Sequence, residues 1–394
     1  MSPPVARPDL VRAAQELAPL ITERAEDIET SGRLPDEIVE RLSTAGLYDL
    51  FRPASSGGAE VDPVSAFLAI EALARADGSV GWCAHDSSAS AYGLAALAPG
   101  TVGDACRFAG SNRPLGQARR VEGGFVVDGR WDFASNSFHA EWYFPTCTSE
   151  EDGRQRLRSV SIPIAEVEVI ETWQVAGLRG TGSNDVAVRG VFVPDEHMPA
   201  RRHLVASQQA GPLYTPRLTM VVNWVLTAAV SLGIAEGALD TFAELSGQGT
   251  AHGVDVPLRE RADVQGTVGR AVAQLGAARS YCLHTVADAW AVAVEAWEVR
   301  RSGGEGDDLA ELDRRLDRLV PEARLAIPHA MRTAVEIVDQ LFHAGGTRSI
   351  YNRSGLERRF RDAHVAAQHF AGSPSHLATG GRLHMGLPAG APFW

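Results

Sequence analysis

Residues Arg119–Ser135 read RRVEGGFVVDGRWDFAS. Two turn signals, Gly123-Gly124 and Asp128-Gly129, separate runs of β-branched and aromatic residues, a pattern that predicts paired strands. The stretch decides the fold because the chain on both sides has helical periodicity. Upstream, DLVRAAQELAPLITERAEDIE (9–29) and SGRLPDEIVERLSTAGL (31–47) place apolar residues at three- and four-residue steps. Pro35 suits a first helical turn and Gly46 a stop. VDPVSAFLAIEALARADGSVGWCAHDSSASAYGLAAL (61–97) is Ala-rich and uncharged after Asp86. Such a helix is buried all round or lines a cavity.

The strand pattern continues through SVSIPIAEVEVIETW (159–173) and SNDVAVRGVFVPDEHM (183–198), then gives way to long helices expected over 216–246, 258–300, 309–344 and 355–371. The expected fold is mainly α with a central antiparallel, barrel-like β-domain. The N-terminal helical domain covers 1–113, the β-domain 114–205, and a C-terminal four-helix bundle 206–394.

Composition removes several function classes. The chain has 394 residues, 45% of them hydrophobic, and a formal net charge of −12 with no basic block, which argues against nucleic acid or an anionic membrane as partner. Cys83, Cys106, Cys147 and Cys282 form no CxxC pair, so neither a disulfide framework nor a zinc site is expected. With no signal-peptide pattern and no long uninterrupted apolar run, the expected location is cytoplasmic.

GLRGTGSND (177–185) superficially suggests dinucleotide binding, but its glycine spacing is reversed and a strand follows instead of a helix. Reducing equivalents for any redox chemistry are therefore expected from another protein. WDFASNS (131–137) reads either as a strand-end turn or as a seat for a flat heteroaromatic ring held by Ser135 and Ser137. In RFRDAHVAAQHF (359–370), a continuous helix would point His364 and His369 about 140° apart, a poor arrangement for a shared metal. Each histidine is either structural or an acid–base candidate.

In order and spacing, several stretches resemble the acyl-CoA dehydrogenase superfamily. They are LPDEIVERLSTAGLYDLFRPASSGG (34–58), ARADGSVGW (74–82), GRWDFAS (129–135), WQVAGLRGTGSNDVAVRGVFVP (173–194) and QLFHAGGTRSIYNRSGLERRFRDAH (340–364). The resemblance implies a flavin between β-domain and bundle, with Ser135 near its N5, Trp82 and Ser137 close by, and Arg361 as a further contact. It also implies contacts from Gln340, Gly345 and Gly346 across a dimer interface, within a homo-oligomer that is a dimer of dimers.

Many dehydrogenases of the family carry a glutamate base where alignment on Arg361-Asp362-Ala363 puts Phe370; Glu236 and Glu244 are the alternative bases in the bundle. The RDxHxAxxH stretch more closely resembles the oxygenase components of two-component phenol, hydroxyphenylacetate, steroid-ring and sulfur-heterocycle monooxygenases. That branch implies reduced FMN or FAD from a separate NAD(P)H:flavin reductase, O2, a C4a-hydroperoxyflavin, and an aromatic small-molecule substrate. His369 would be the site histidine and His364 the second choice. A histidine after the GW pair is His85 here, with Ser87 and Ser90 at the more distant offset. Alternative outcomes on the same scaffold are N- or S-oxygenation and acyl-CoA dehydrogenation.

Overall fold

The computed structural model describes residues 6–199, 211–247 and 256–390. Three short helices, α1 (Pro8–Glu23), α2 (Ala25–Ser31) and α3 (Asp36–Thr44), lead into α4 (Pro63–Ala76) and α5 (Gly78–Ala91). The last two are separate because each has its own acidic N-cap. Asp62 accepts from the backbone N–H of Val64 and Ser65, and Asp77 from those of Ser79 and Val80.

The central sheet contains β1 (Phe108–Val121), β2 (Gly124–Ala134), β3 (Trp142–Glu151), β4 (Arg154–Ser159), β5 (Ile162–Pro163), β6 (Glu168–Ile170) and β7 (Asn184–Pro194). Its order is β4-β3-β1-β2-β7-β6, with β5 also on β3. The two turns read in 119–135 lie at the β1–β2 hairpin and within β2. The sheet is mixed rather than wholly antiparallel, because β1 and β3 run parallel from Phe108↔Trp142 onward and their register shifts between Ser111 and Gly116. β1 begins at Phe108, ahead of the change of character read at Pro114. Trp131 is fully buried at the centre; its indole N–H donates to the Thr146 carbonyl at 3.0 Å and its ring meets Tyr143 edge-on.

The C-terminal part comprises α6 (Thr219–Ser246), α7 (Ala262–Arg301), α8 (Asp307–Gly345), α9 (Leu356–Ala366) and α10 (Pro374–His384). By length and mean hydropathy α6 could cross a membrane, although Asn223, Thr227 and Ser231 interrupt its apolar run. However, 78% of its most apolar window is buried against neighbouring helices, so it is the bundle's core helix. α4 packs against α6, and their residues share one continuous apolar core with α7 and α8.

The helix expected over 355–371 is shorter than its periodicity suggests. α9 stops at Ala366, and a single turn over Phe370–Gly372 follows before Ser373 caps α10. His369 is therefore not a helical residue. It caps that turn with extended backbone, its Nδ1 accepting the Ala371 N–H at 3.2 Å.

Candidate active site

Four backbone positions around the meeting of sheet, α5 and α9 lie in the left-handed region: Phe133, Asn136, Leu178 and Gly182. Three of them are not glycine, and such conformations persist only where surrounding contacts fix them. Here the contacts are visible. The Leu178 N–H donates to the buried Asp362 carboxylate at 2.6 Å. A Cβ on Gly177 would lie 2.5 Å from the Arg361 carbonyl carbon and oxygen. Gly177 thus allows close docking of this loop against α9, while Gly180 fits against Ile28 and Ser79 and Gly182 against Phe138, which explains a Gly-rich run followed by a strand. Burial, with Asp77 nearby, pushes the Asp362 carboxyl up to about 7.

Phe133 turns its ring outward at 60% exposure, edge-on to Trp173 at 6.0 Å between centroids. The Trp173 indole is fixed by a 3.0 Å hydrogen bond to the Leu178 carbonyl. Beneath this aromatic edge runs a chain of hydroxyls. Trp82 Nε1 donates to Ser135 Oγ at 3.1 Å; Ser135 pairs with Ser183 at 2.8 Å, Ser183 with Thr181 at 2.7 Å, and Thr181 Oγ1 donates to the Leu178 carbonyl at 2.8 Å. An indole can only donate and a carbonyl can only accept. The order of donation is therefore fixed as Trp82, Ser135, Ser183, Thr181, Leu178. Ser135 offers a free lone pair, while its proton is engaged with Ser183.

Trp82 also brings two histidines together. Its ring meets His85 at 5.5 Å and His369 at 5.6 Å between centroids, both edge-on. Burial, reinforced by His369, pulls the His85 pKa down to about 3; burial, reinforced by His376, pulls His369 down to about 4. Both rings are neutral at neutral pH. Because His369 Nδ1 accepts from Ala371, its neutral ring carries the proton on Nε2. His369 is thus a hydrogen-bond donor through Nε2 in the resting protein. His85 Nε2 lies 3.4 Å from Thr227 Oγ1, and its Nδ1 is buried without a partner among the described residues. A further aromatic group, Trp224, Phe370 and His376, adjoins His369; Trp224 and Phe370 meet at 5.6 Å.

Of the residues picked from sequence, the structure brings together Trp82, His85, Ser135 and His369. Ser137 is close in chain, but its hydroxyl donates to the Gly182 carbonyl at 3.0 Å and braces the loop. His364 points elsewhere: its Nε2 pairs with Asp339 of α8 at 2.9 Å, half exposed. Arg361 is also engaged elsewhere, holding Glu357 at 2.7 Å, Glu29 at 2.8 Å and the Ala176 carbonyl. Its role here is to tie α9 to α2 and the glycine loop. Gln340, Gly345 and Gly346 line a separate cleft of about 590 Å³ with Arg261, Arg270 and Arg348. Gln340 Nε2 donates to Gln274 Oε1 at 3.1 Å, leaving its own Oε1 buried without a partner among the described residues.

Neither alternative carboxylate is positioned as a base at this cluster. Glu236 pairs with Arg279 and with Arg75, and Glu244 is exposed. Sequence reasoning missed Ser183, Thr181 and Trp173, whose only signal was their place beside the glycine run.

The Acyl-CoA dehydrogenase N-terminal domain family matches residues 11–100, and the Acyl-CoA dehydrogenase C-terminal domain family matches 225–374. The indole-3-acetate monooxygenase of Pseudomonas putida is 30% identical over 87% of this chain and 85% of its own length. The chain belongs to this family, as a flavin-dependent monooxygenase oxygenase component.

A second relative, the oxygenase subunit HsaA of Rhodococcus jostii, is 29% identical over 94% of this chain and 97% of its own. The crystal structure of the HsaA monooxygenase from M. tuberculosis superposes with a TM-score of 0.84 at 28% identity, over 99% of this chain and all of that one. More distant structures share the fold, and among them XiaF from Streptomyces holds FADH2 and TdsC from Paenibacillus holds FMN. As an oxygenase component, this enzyme works with a separate reductase.

The residues present fit a flavin. An outward-facing phenyl ring, a fixed indole and a hydroxyl with one open lone pair form a flat edge with a polar seat. The buried Gln340 oxygen, without a partner among the described residues, marks a second polar position in a cleft with three arginines.

Proposed function

We propose that this enzyme hydroxylates a small aromatic substrate, using reduced FMN or FAD supplied by a separate NAD(P)H:flavin reductase, as a homo-oligomer built from dimers. The observation that carries the reading is the His85–Trp82–His369 cluster, two neutral imidazoles flanking one indole directly above Ser135. Reduced flavin, when bound, supplies two electrons so that one atom of O2 enters the substrate and the other leaves as water.

The protein's own part follows from its residues. Phe133, Trp173 and Ser135 would seat the ring system; Gln340, Gly345 and Gly346 would contact the cofactor from a neighbouring subunit. Trp82 and Trp224 would limit water at the cluster, which strengthens every polar contact inside. His369 would hold a substrate oxygen through Nε2–H and pass that proton on as charge develops. His85, deeper and lower in pKa, stays neutral and orients Trp82. The dehydrogenase alternative lacks support, since Phe370 has no group to accept a proton. N- or S-oxygenation differs only in which substrate atom is presented.

The test uses stopped flow. Protein mixed with photoreduced FMN and then oxygen should delay flavin reoxidation well beyond the free rate. With a reductase, NADH and labelled oxygen, one labelled atom should appear in a phenolic product. Reoxidation at the free rate, or bleaching of protein-bound oxidised FAD by an acyl-CoA, would overturn the proposal.

A further inference from the structure

α5 is buried except along one stripe. Trp82, Asp86, Ala89 and Ser90 keep partial exposure at the three- and four-residue steps of a single face, while the residues between them are covered. This stripe looks onto the site. Trp82 reaches Ser135 and flanks His369, and Ser90 lies so close over β1 that a Cβ on Gly110 would come within 2.6 Å of its Oγ. Asp86 stands one turn beyond Trp82 and one turn before Ser90, on the wall between them.

The carboxyl of Asp86 is deep in the protein, and burial alone raises its pKa well above the usual carboxylate range; no cation among the described residues contributes. Its Oδ2 is occluded and has no hydrogen-bond partner among those residues. The exposure that Asp86 retains lies on the same face of α5 as Trp82 and Ser90. Across from it, the fully buried Tyr143 hydroxyl, with Ser111 beside it, feels the charge of both Asp86 and Asp132. Asp132 Oδ1 is likewise occluded and unpartnered among the described residues, its other oxygen being held by Arg113. The two imidazoles of the site are neutral and bring no positive charge. An unpaired buried carboxyl is destabilising, and one kept in a native structure calls for a reason, of which a bound partner is one.

We propose that Asp86 recognises a substrate bearing a basic nitrogen, whose ammonium group supplies the positive charge that this wall of the site lacks. The inference rests on the reading that the space before Trp82 and His369 receives the substrate. It adds a selection rule: a cationic arm pairs with Asp86 and is preferred over a neutral hydroxyl arm, whereas a carboxylate arm finds no opposite charge there and loses its own hydration.

Three phenols with short arms provide the test: tyramine, tyrosol and 4-hydroxyphenylacetate. Their binding is measured by anaerobic calorimetry on the full-length protein with reduced FMN present. Tyramine should bind at least about ten-fold more tightly than tyrosol, and 4-hydroxyphenylacetate most weakly. Asp86→Asn should abolish the tyramine advantage over tyrosol, while thermal melting confirms that the variant is folded; Asp86→Ser serves if it is not. Equal binding of tyramine and tyrosol by the parent, or equal weakening of all three ligands in the variant, would overturn the inference. If none of the three binds yet flavin reoxidation is still delayed, Asp86 recognition fails and the monooxygenase reading stands. If the delay itself is missing, the broader reading fails.

Discussion

Replacing His369 by glutamine should make the protein less sensitive to acid, and the size of the effect can be worked from the site. The glutamine amide can still accept the Ala371 N–H but has no proton to gain. In the parent, the ring has a folded pKa of about 4 against an ordinary value of 6.5. A histidine with a depressed folded pKa contributes stability that is present above its unfolded pKa and lost as pH falls towards the folded one. Between pH 7 and pH 5 the unfolded ring takes up a proton while the folded ring does not, which removes about 2 kcal/mol. His85, with a folded pKa of about 3, contributes a similar loss over the same interval. Glu71 and Asp362, both raised to about 7, titrate here in the opposite sense, but they are common to parent and variant and cancel in the difference. Urea midpoints at pH 7 and pH 5 for the parent, His369→Gln and His85→Gln check the figure. Ring-nitrogen NMR should show His369 protonated at Nε2 and titrating near pH 4. A His369 resonance titrating near the ordinary histidine value, or a variant losing as much stability in acid as the parent, would refute the argument.

Other outcomes follow from single contacts. Trp82→Phe keeps most of the ring but removes the N–H to Ser135; it should lower stability by about 1 kcal/mol and raise the fraction of NADH lost to hydrogen peroxide, measured with catalase. Gly110→Ala drives a Cβ into Ser90 Oγ and to 3.2 Å from the Phe144 carbonyl, so it should destabilise by about 1–3 kcal/mol in thermal melts and narrow the site. Gly177→Ala meets backbone rather than a movable side chain and should be at least as damaging, with weakened flavin retention in equilibrium dialysis because the Leu178 loop is displaced. Arg361→Ala should lower the melting temperature while leaving the affinity for reduced FMN within about two-fold, since its partners are Glu29, Glu357 and a carbonyl.

The order of helices, sheet and bundle was legible because periodicity and turn chemistry are local. The pairing of β1 with β3 was not, since parallel register depends on which distant strands meet. His369 shows the same divide at one residue. AAQHF contains no helix breaker, so the pattern extended the helix through it; Ser373-Pro374, which starts the next helix, set the end from outside. His364 and Arg361 looked like site residues because they share the informative stretch. Their actual partners, Asp339, Glu29 and Glu357, are visible only when α8, α9 and α2 are in place. Asp86 carried no sequence signal beyond being the last charge before an uncharged run.

The hydroxyl chain from Trp82 to Leu178 has one further consequence, for redox state. Its two ends allow one polarity, so at Ser135 the surface is an acceptor. A reduced flavin carries hydrogen on the central-ring nitrogen that an oxidised flavin leaves bare. Whichever form presents that N–H edge to Ser135 finds a match, whereas the bare nitrogen faces another lone pair. If Ser135 meets that nitrogen, the polarity of four hydrogen bonds would act as an electron-count filter, favouring the loaded cofactor over the discharged one. Ser183→Ala frees the Ser135 proton to turn outward and should raise the affinity for oxidised FMN relative to reduced FMN.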